Sequence, residues 1–138
     1  MNLFKNNNNN WTITKPAVNY KLVAEKFLEF YYGLYDNDFA RLESVYTQNP
    51  MITFADEAFS KFSDLHRKLT SDYRICKFIH QNISFNAQPI NENTILINVS
   101  GDLRVNAFDG GKFTETIVIA TNNQQNYFIT HTIFRAVQ

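Results

Sequence analysis

The sequence lacks most of the residues that announce a particular chemistry. Cysteine is reduced to Cys76, which excludes an intramolecular disulfide framework and suits a reducing compartment. The 3 histidines, His66, His80 and His131, are scattered. No H-x-x-x-H or C-x-x-C accompanies them, so nothing stands at metal-ligand spacing. Glycine is scarce, with 4 in the chain. The one Gly pair, in "DGGK" (109–112), is a hairpin tip without the other residues of a phosphate-binding loop. Neither sign of charge is in excess, with 13 Lys plus Arg against 13 Asp plus Glu, which speaks against a nucleic-acid arm or a membrane-surface patch. No apolar run approaches the ~18 residues of a membrane span. The first ten residues, "MNLFKNNNNN", hold one Lys, no apolar core and no cleavage site, unlike a secretory signal. The expectation is a soluble, intracellular protein that inserts in no membrane.

What is present is a globular composition: 44% hydrophobic and 15% aromatic residues in 138, one domain by length with enough chain to bury a core. Residues 1–15, with Lys5 followed by five asparagines, read as a disordered Asn-rich tail, and 16–138 as the domain. "FLEFYYGLYDNDFARLESVY" (27–46) concentrates seven aromatics in twenty residues. Val23, Phe27, Phe30, Tyr31 and Leu34 fall at spacings of four and three and predict one apolar helical stripe, with Glu25, Lys26 and Glu29 facing away. Asp36-Asn37-Asp38 has the composition of a helix stop followed by a new N-cap. A second short helix is predicted over Phe39–Tyr46, ended by "QNP" (48–50). "MITF" (51–54) reads as a short strand and "ADEAF" (55–59) as a turn and edge strand. A third helix over Ser60–Leu69 buries Phe62, Leu65 and Leu69.

Beyond Ile75 the period changes to two. "ICKFIHQNISF" (75–85), "TILINVSGDLRV" (94–105), "KFTETIVIAT" (112–121) and "NYFITHTIFRAV" (126–137) are β-branched and aromatic. Their joins, "QPINEN", "NAFDGG" and "NNQQN", have hairpin length and turn composition. The fold class is therefore α+β: a cone in which three N-terminal helices pack on a curved antiparallel sheet, the last four strands forming a meander. Apolar rows on both faces of the last two strands predict a sticky outer face and a dimer.

For chemistry at the mouth of such a cone the available groups are Asp56, Glu57, His80, Asp102, His131 and the phenols of Tyr31, Tyr32 and Tyr35. Spacing assigns no Asp–His or Cys–His pair among them. His131 alternates with Ile129 and Ile133 and is placed on their face, as a satisfied or dimer-interface residue. His66 falls on the exposed side of the third helix. Capping accounts for Asp36 and Asp38. No catalytic residue, cofactor site or metal site is assigned.

The Tyr-Tyr pair with Asp36-Asn37-Asp38, the "MITF" strand, "NISFNAQP" (82–89) and the closing Ile133-Phe134-Arg135 together resemble the nuclear transport factor 2 family, over about residues 20–137. The resemblance implies a small carrier, not an enzyme: a homodimer that binds the GTPase Ran in its GDP form and the Phe-Gly repeats of nucleoporins. It further implies residence in cytoplasm and nucleus and at the nuclear envelope and pore. By the same resemblance Phe54 stands where the family has the Trp of Leu-Thr-Trp-Glu-Gly, and Phe134 lines the same Ran-binding cavity. Asp56 and Glu57 are the acids nearest the rim. Tyr20, seven residues before Phe27, stands where the carrier has a Trp that grips Phe-Gly repeats. The chain departs from the pattern at Ala55 (Glu in the family), in the hairpin 105–109, where Asp109 alone is acidic, and at His131-Thr132 (Asn-Asp in the family). Two alternatives follow from the fold: a module that heterodimerises with a messenger-RNA export receptor, and a small-molecule-binding enzyme.

Overall fold

A computed structural model describes residues 19–123 and 125–137. The Asn tract and the rest of the predicted tail lie outside them. Helix α1, Tyr20–Asn37, starts because Asn19 caps it: the Asn19 carboxamide oxygen accepts from the backbone N–H groups of Lys21 (3.0 Å) and Leu22 (3.1 Å), two of the donors a helix start leaves open. It closes where the Asp38 N–H bonds the Leu34 carbonyl at 2.7 Å. The buried face is Ala24, Phe27, Leu28, Tyr31, Tyr32 and Tyr35. That face is rotated from the predicted stripe: Phe30 is 54% exposed, and Val23 and Leu34 are half-buried. The rotation arises because tyrosines occupy the buried side. Their rings bury like apolar residues while their hydroxyls seek partners inside.

The predicted second helix is a 3-10 helix, Phe39–Val45, burying Leu42 and Val45. The chain passes straight into β1, Tyr46–Phe54, so "QNP" lies within a strand instead of ending a helix. Pro50 is tolerated because the pairing shifts register between Tyr46 and Met51, where no ladder bond is needed from it. Strand β2, Glu57–Phe59, follows a turn in which Ala55 has φ 58°. The predicted third helix divides into α2, Phe62–Arg67, and a π-helical turn, Lys68–Asp72; Phe62, Leu65 and Leu69 are buried as their spacing predicts. Four long strands complete the chain: β3 Phe78–Asn91, β4 Thr94–Val105, β5 Phe108–Thr121 and β6 Tyr127–Val137.

The strands form one sheet in the order β2-β1-β6-β5-β4-β3. The expected antiparallel meander is β3 to β6. To it the fold adds β1, parallel to β6, and β2 at the edge, making a six-stranded mixed sheet. This is an α+β fold with the helices and the sheet's inner face enclosing the core. Ile97, Ile117, Ile119 and Ile129 line that inner face, fully buried. Close packing there also fixes Gly101, where a Cβ would stand 2.8 Å from the Gln81 carbonyl oxygen and 3.0 Å from the Phe113 ring.

A bulge in β6 changes which side chains face out. Val118 pairs with His131, but the next residue of β5, Ile119, pairs with Ile129, so Thr130 is the extra residue. Ile129 therefore points inward, while His131 and Ile133 point outward and Thr132 and Phe134 inward. Contrary to the simple alternation, His131 does not share the face of Ile129. The bulge also aligns a row across the outer face, Met51–His131–Val118–Leu96–Gln88, beside a second, Thr53–Ile133–Thr116–Asn98–Asn86. Met51 and Ile133 are 65% and 50% exposed on it. No described helix is long and apolar enough to cross a membrane.

Candidate functional site

The parallel β1–β6 pair delivers Phe54 and Phe134 to one place. They are register partners, and their rings stack with centroids 4.5 Å apart and planes within 15°. The Ala55 N–H bonds the Phe134 carbonyl at 2.9 Å, so the turn that follows is fastened to the same residue. Phe113 lies behind Phe134 at 6.1 Å. This is an apolar aromatic floor at the end of the strands. The next two residues, Asp56 and Glu57, are acidic. Asp56 is 89% exposed at its side chain and lies 3.4 Å from the Arg135 guanidinium. Glu57 is held by the Lys68 ammonium at 3.3 Å and accepts from the Tyr73 hydroxyl at 3.1 Å. Lys68 also lies 5.5 Å from the centre of the Tyr73 ring. Phe54, Asp56, Glu57 and Phe134 thus lie near one another, with Phe134 itself buried, and Tyr73, 51% exposed, stands beside Glu57. Periodicity gave no signal for Tyr73, because it lies in the irregular connector after the π-helical turn.

The other candidates separate. Asp102 is bound by Lys112 (2.6 Å) and Asn82 (2.6 Å), and those partners lower its pKa. Asp109 accepts from the Gly111 N–H within its hairpin. His131 is exposed on the outer face beside Thr130. His66 is not simply solvated: its ring packs on Phe39 and Phe62, 5.5 and 5.9 Å away. Tyr20, half-buried, opens α1 and packs against the core.

Tyr31, Tyr32, Tyr35 and His80 are inside, around an acid that sequence reading passed over. Glu115, 3% exposed, accepts from the Tyr31 hydroxyl at 3.0 Å and the Tyr32 hydroxyl at 2.8 Å, one on each oxygen. Its period-two position between Phe113 and Ile117 was the available signal: an acid at an inward place of a strand. Burial raises its pKa above the ordinary carboxylate range, against the lowering effects of the Tyr32 hydrogen bond, the nearby His80 and the Tyr31 hydrogen bond. The phenols of Tyr31, Tyr32, Tyr35 and Tyr46 are raised in turn, first by burial and then by the Glu115 charge.

Asp36 also has a role that capping missed. Its carboxylate accepts from the His80 backbone N–H at 2.9 Å and contacts His80 Nδ1 at 2.6 Å. A carboxylate opposite Nδ1 places the proton on that nitrogen. His80 Nε2 is buried without a hydrogen-bond partner among the described residues, boxed by the rings of Tyr32, Tyr35, Phe78 and Phe113. Asp38, the other supposed cap, makes no capping bond and pairs loosely with Arg41 at 3.8 Å. Among the described residues no group of three or more His, Cys, Asp or Glu side chains is gathered to hold a metal.

Helices packed over a curved mixed sheet, with a buried carboxylate–phenol cluster between them, define a class of small α+β domains. The nuclear transport factor 2 domain model matches residues 23–136, and the chain belongs to that family. Nuclear transport factor 2 of Davidiella tassiana is 32% identical over 120 residues, covering 86% of this chain and 94% of that protein. The protein of the same name from Emericella nidulans is 30% identical, covering 86% and 95%. Among solved structures, nuclear transport factor 2 of Cryptosporidium parvum superposes with a TM-score of 0.75 over 85% of this chain and 94% of that one, at 20% identity.

The buried Glu115 makes stability depend on pH with a defined sign. Its folded-state pKa lies above the unfolded one, so the folded protein keeps a proton that the unfolded chain releases between the two values. The contribution is present below the ordinary carboxylate range and is lost as pH rises through the folded value. Denaturant unfolding across pH should therefore show Glu115→Gln losing less stability than the parent as pH rises through that window. Glu115→Ala, which leaves two buried hydroxyls without an acceptor, should cost roughly 3 kcal/mol at low pH and less as pH rises through that window. Equal slopes for parent and Gln variant would mean that the carboxyl titrates normally.

Proposed function

We propose that this chain is a homodimeric nuclear transport carrier that receives an aromatic side chain of Ran-GDP at its mouth and carries it through pores by Phe-Gly contacts. The relatives that share its length are named nuclear transport factor 2, and the chain keeps their span. One observation carries the reading: the stacked Phe54–Phe134 pair, with two acids just beyond Ala55 on the β1–β2 hairpin. A flat apolar floor with an acidic edge suits an aromatic side chain flanked by basic residues. The assignment carries no catalytic step and no cofactor. Its place of action is the cytoplasm and nucleus, at the nuclear envelope and pore.

The rim acids are already engaged, Glu57 by Lys68 and Asp56 by Arg135, so Ran would have to exchange partners with them. That favours a second reading, an interaction module that pairs through its sheet with a larger chain of the same fold, as in messenger-RNA export. Calorimetry with Ran-GDP separates the two. Binding should be present in the parent and weakened about tenfold by Asp56→Asn with Glu57→Gln, the modest loss expected of charges that stay partly wet. No binding in the parent would leave only the second reading; binding unaffected by the double change would place the rim elsewhere.

The dimer is proposed through the outer face, whose exposed Met51 and Ile133 flank His131 in rows that mix apolar with uncharged polar side chains. A two-fold axis there would let the rows meet their own copies. Sedimentation should show a dimer at micromolar concentration and a folded monomer for Ile133→Asp; a monomeric parent would remove the homodimer.

For Phe-Gly repeats the proposed surface starts at Tyr20 and follows α1. A groove of about 540 Å³ lies along the next turns, lined by Leu22, Phe27, Phe30, Tyr127 and Phe128 among others. Phe30 and Phe128, 54% and 40% exposed, give it open aromatic walls. Tyr20→Ala should weaken Phe-Gly peptide binding several-fold in an NMR titration, the loss of one aromatic contact worth about 1 kcal/mol. Peptide shifts confined to residues far from α1 would discard this surface.

A further inference from the structure

A second cavity of about 540 Å³ lies where the C-terminal end of α1 meets the 3-10 helix, the α2–π-helical turn and the connector before β3. None of Phe54, Asp56, Glu57 and Phe134 lines it, so it is separate from the mouth. Its apolar wall is Tyr35, Phe39, Leu69, Ile75 and Phe78. Its size falls within the range of small-molecule sites, which pair such walls with a few placed polar groups.

The polar groups here are unbalanced in sign. Asp36 lines the cavity, but its carboxylate is occupied by His80. Lys77 lines it too, with its ammonium on neutral oxygens, the Asp36 carbonyl at 2.6 Å and the Asn37 carboxamide at 3.5 Å, so its charge is uncancelled. Arg74, also in the lining, has a guanidinium with no hydrogen bond or ion pair among the described residues. Two cations thus face a cavity whose single acid is already paired.

The segment that carries them is held rigidly. Arg74 has φ 56°, a conformation that costs a residue with a side chain free energy and persists only when its surroundings enforce it. Asn106, in the β4–β5 turn, does this. Its Nδ2 donates to the Arg74 carbonyl at 3.0 Å, and its Oδ1 accepts from the N–H groups of Cys76 (2.8 Å) and Lys77 (3.1 Å). Its own N–H donates to the Lys77 carbonyl at 2.8 Å. From the other side the Ile75 N–H bonds the Leu69 carbonyl at 2.9 Å. A cation carried on a fixed stretch of backbone beside an aromatic wall suits an anion with an apolar body.

We propose that this cavity binds a small aromatic monoanion, its carboxylate or sulfonate on Arg74 and its ring against Phe39, Leu69 and Phe78. The site does not depend on the carrier reading. Anilinonaphthalene sulfonate is a suitable probe, and Cys76, the chain's one cysteine, lines the cavity and reports occupancy. Fluorescence titration should give saturable one-to-one binding, and saturation should slow alkylation of Cys76 by iodoacetamide. Arg74→Gly removes the guanidinium while suiting the left-handed backbone, so it should fold and bind about tenfold more weakly, the loss of one charge-assisted hydrogen bond. Arg74→Lys should retain most of the affinity. The proposal is overturned if the Gly variant binds as tightly as the parent, if saturation leaves the alkylation rate unchanged, or if no saturable binding occurs.

Discussion

Helix and sheet are joined at one carboxylate. Glu115 stands on an inner strand and takes both neighbouring phenols of α1, Tyr31 and Tyr32, across 84 and 83 residues of sequence. Apolar packing alone would let a helix of this kind slide and rotate over the sheet, because methyl and ring contacts are nearly indifferent to direction. Two hydrogen bonds to one group are not. They choose which helical face turns inward, and so bury Tyr35 and leave Phe30 in the open groove. The cost is a desolvated acid, which the raised pKa records. The Asp36–His80 pair repeats the device about one turn further along the same helix, tying its last turn to the start of β3.

Around this anchor, irregular backbone sets the surfaces. The extra residue at Thr130 turns His131 and Ile133 outward, and β1 can then lie parallel along β6 with Phe54 over Phe134. The floor of the mouth and the outer rows thus descend from one bulge. In the connector before β3 Asn106 plays the corresponding part, its side chain holding Arg74, Cys76 and Lys77 in place. Regular elements supply the stiffness of this fold, and a few non-repeating residues aim its functional groups.

Much of this is legible in the sequence. Period two marks the meander, and "TILINVSGDLRV" coincides with β4, Thr94–Val105. Helical spacing finds Phe62, Leu65 and Leu69, and the family pattern brings Phe54 and Phe134 together before any coordinates. What escapes is what depends on partners distant in sequence. Asp36 beside Asn37 and Asp38 has the local look of a cap, and nothing nearby points to His80, 44 residues on. The faces of Ile129 and His131 follow alternation until a bulge interrupts it, and a bulge has no letter of its own. β1 is read as four residues because Pro50 looks like a stop; the parallel pairing that accommodates it involves a strand near the C-terminus. Glu115 was visible as an inward acid, but only to a reading that counts polar residues at apolar positions.

The pairing of β1 with β6 has a consequence for synthesis. A chain made from its N-terminus exposes α1, the 3-10 helix and β1 long before the strand they need exists. Thr47 donates its hydroxyl to the Ile129 carbonyl across 82 residues, and the acceptor for Tyr31 and Tyr32 is equally late. Until β5 and β6 leave the ribosome, Tyr31 and Tyr32 lack their acceptor and the edge of β1 opposite β2 has no native cover, and contacts of such separation close slowly. The nascent chain is therefore most open to chaperones, and to pairing with a second nascent copy, during its last third. The stack of Phe54 on Phe134 forms only once β6 has been made.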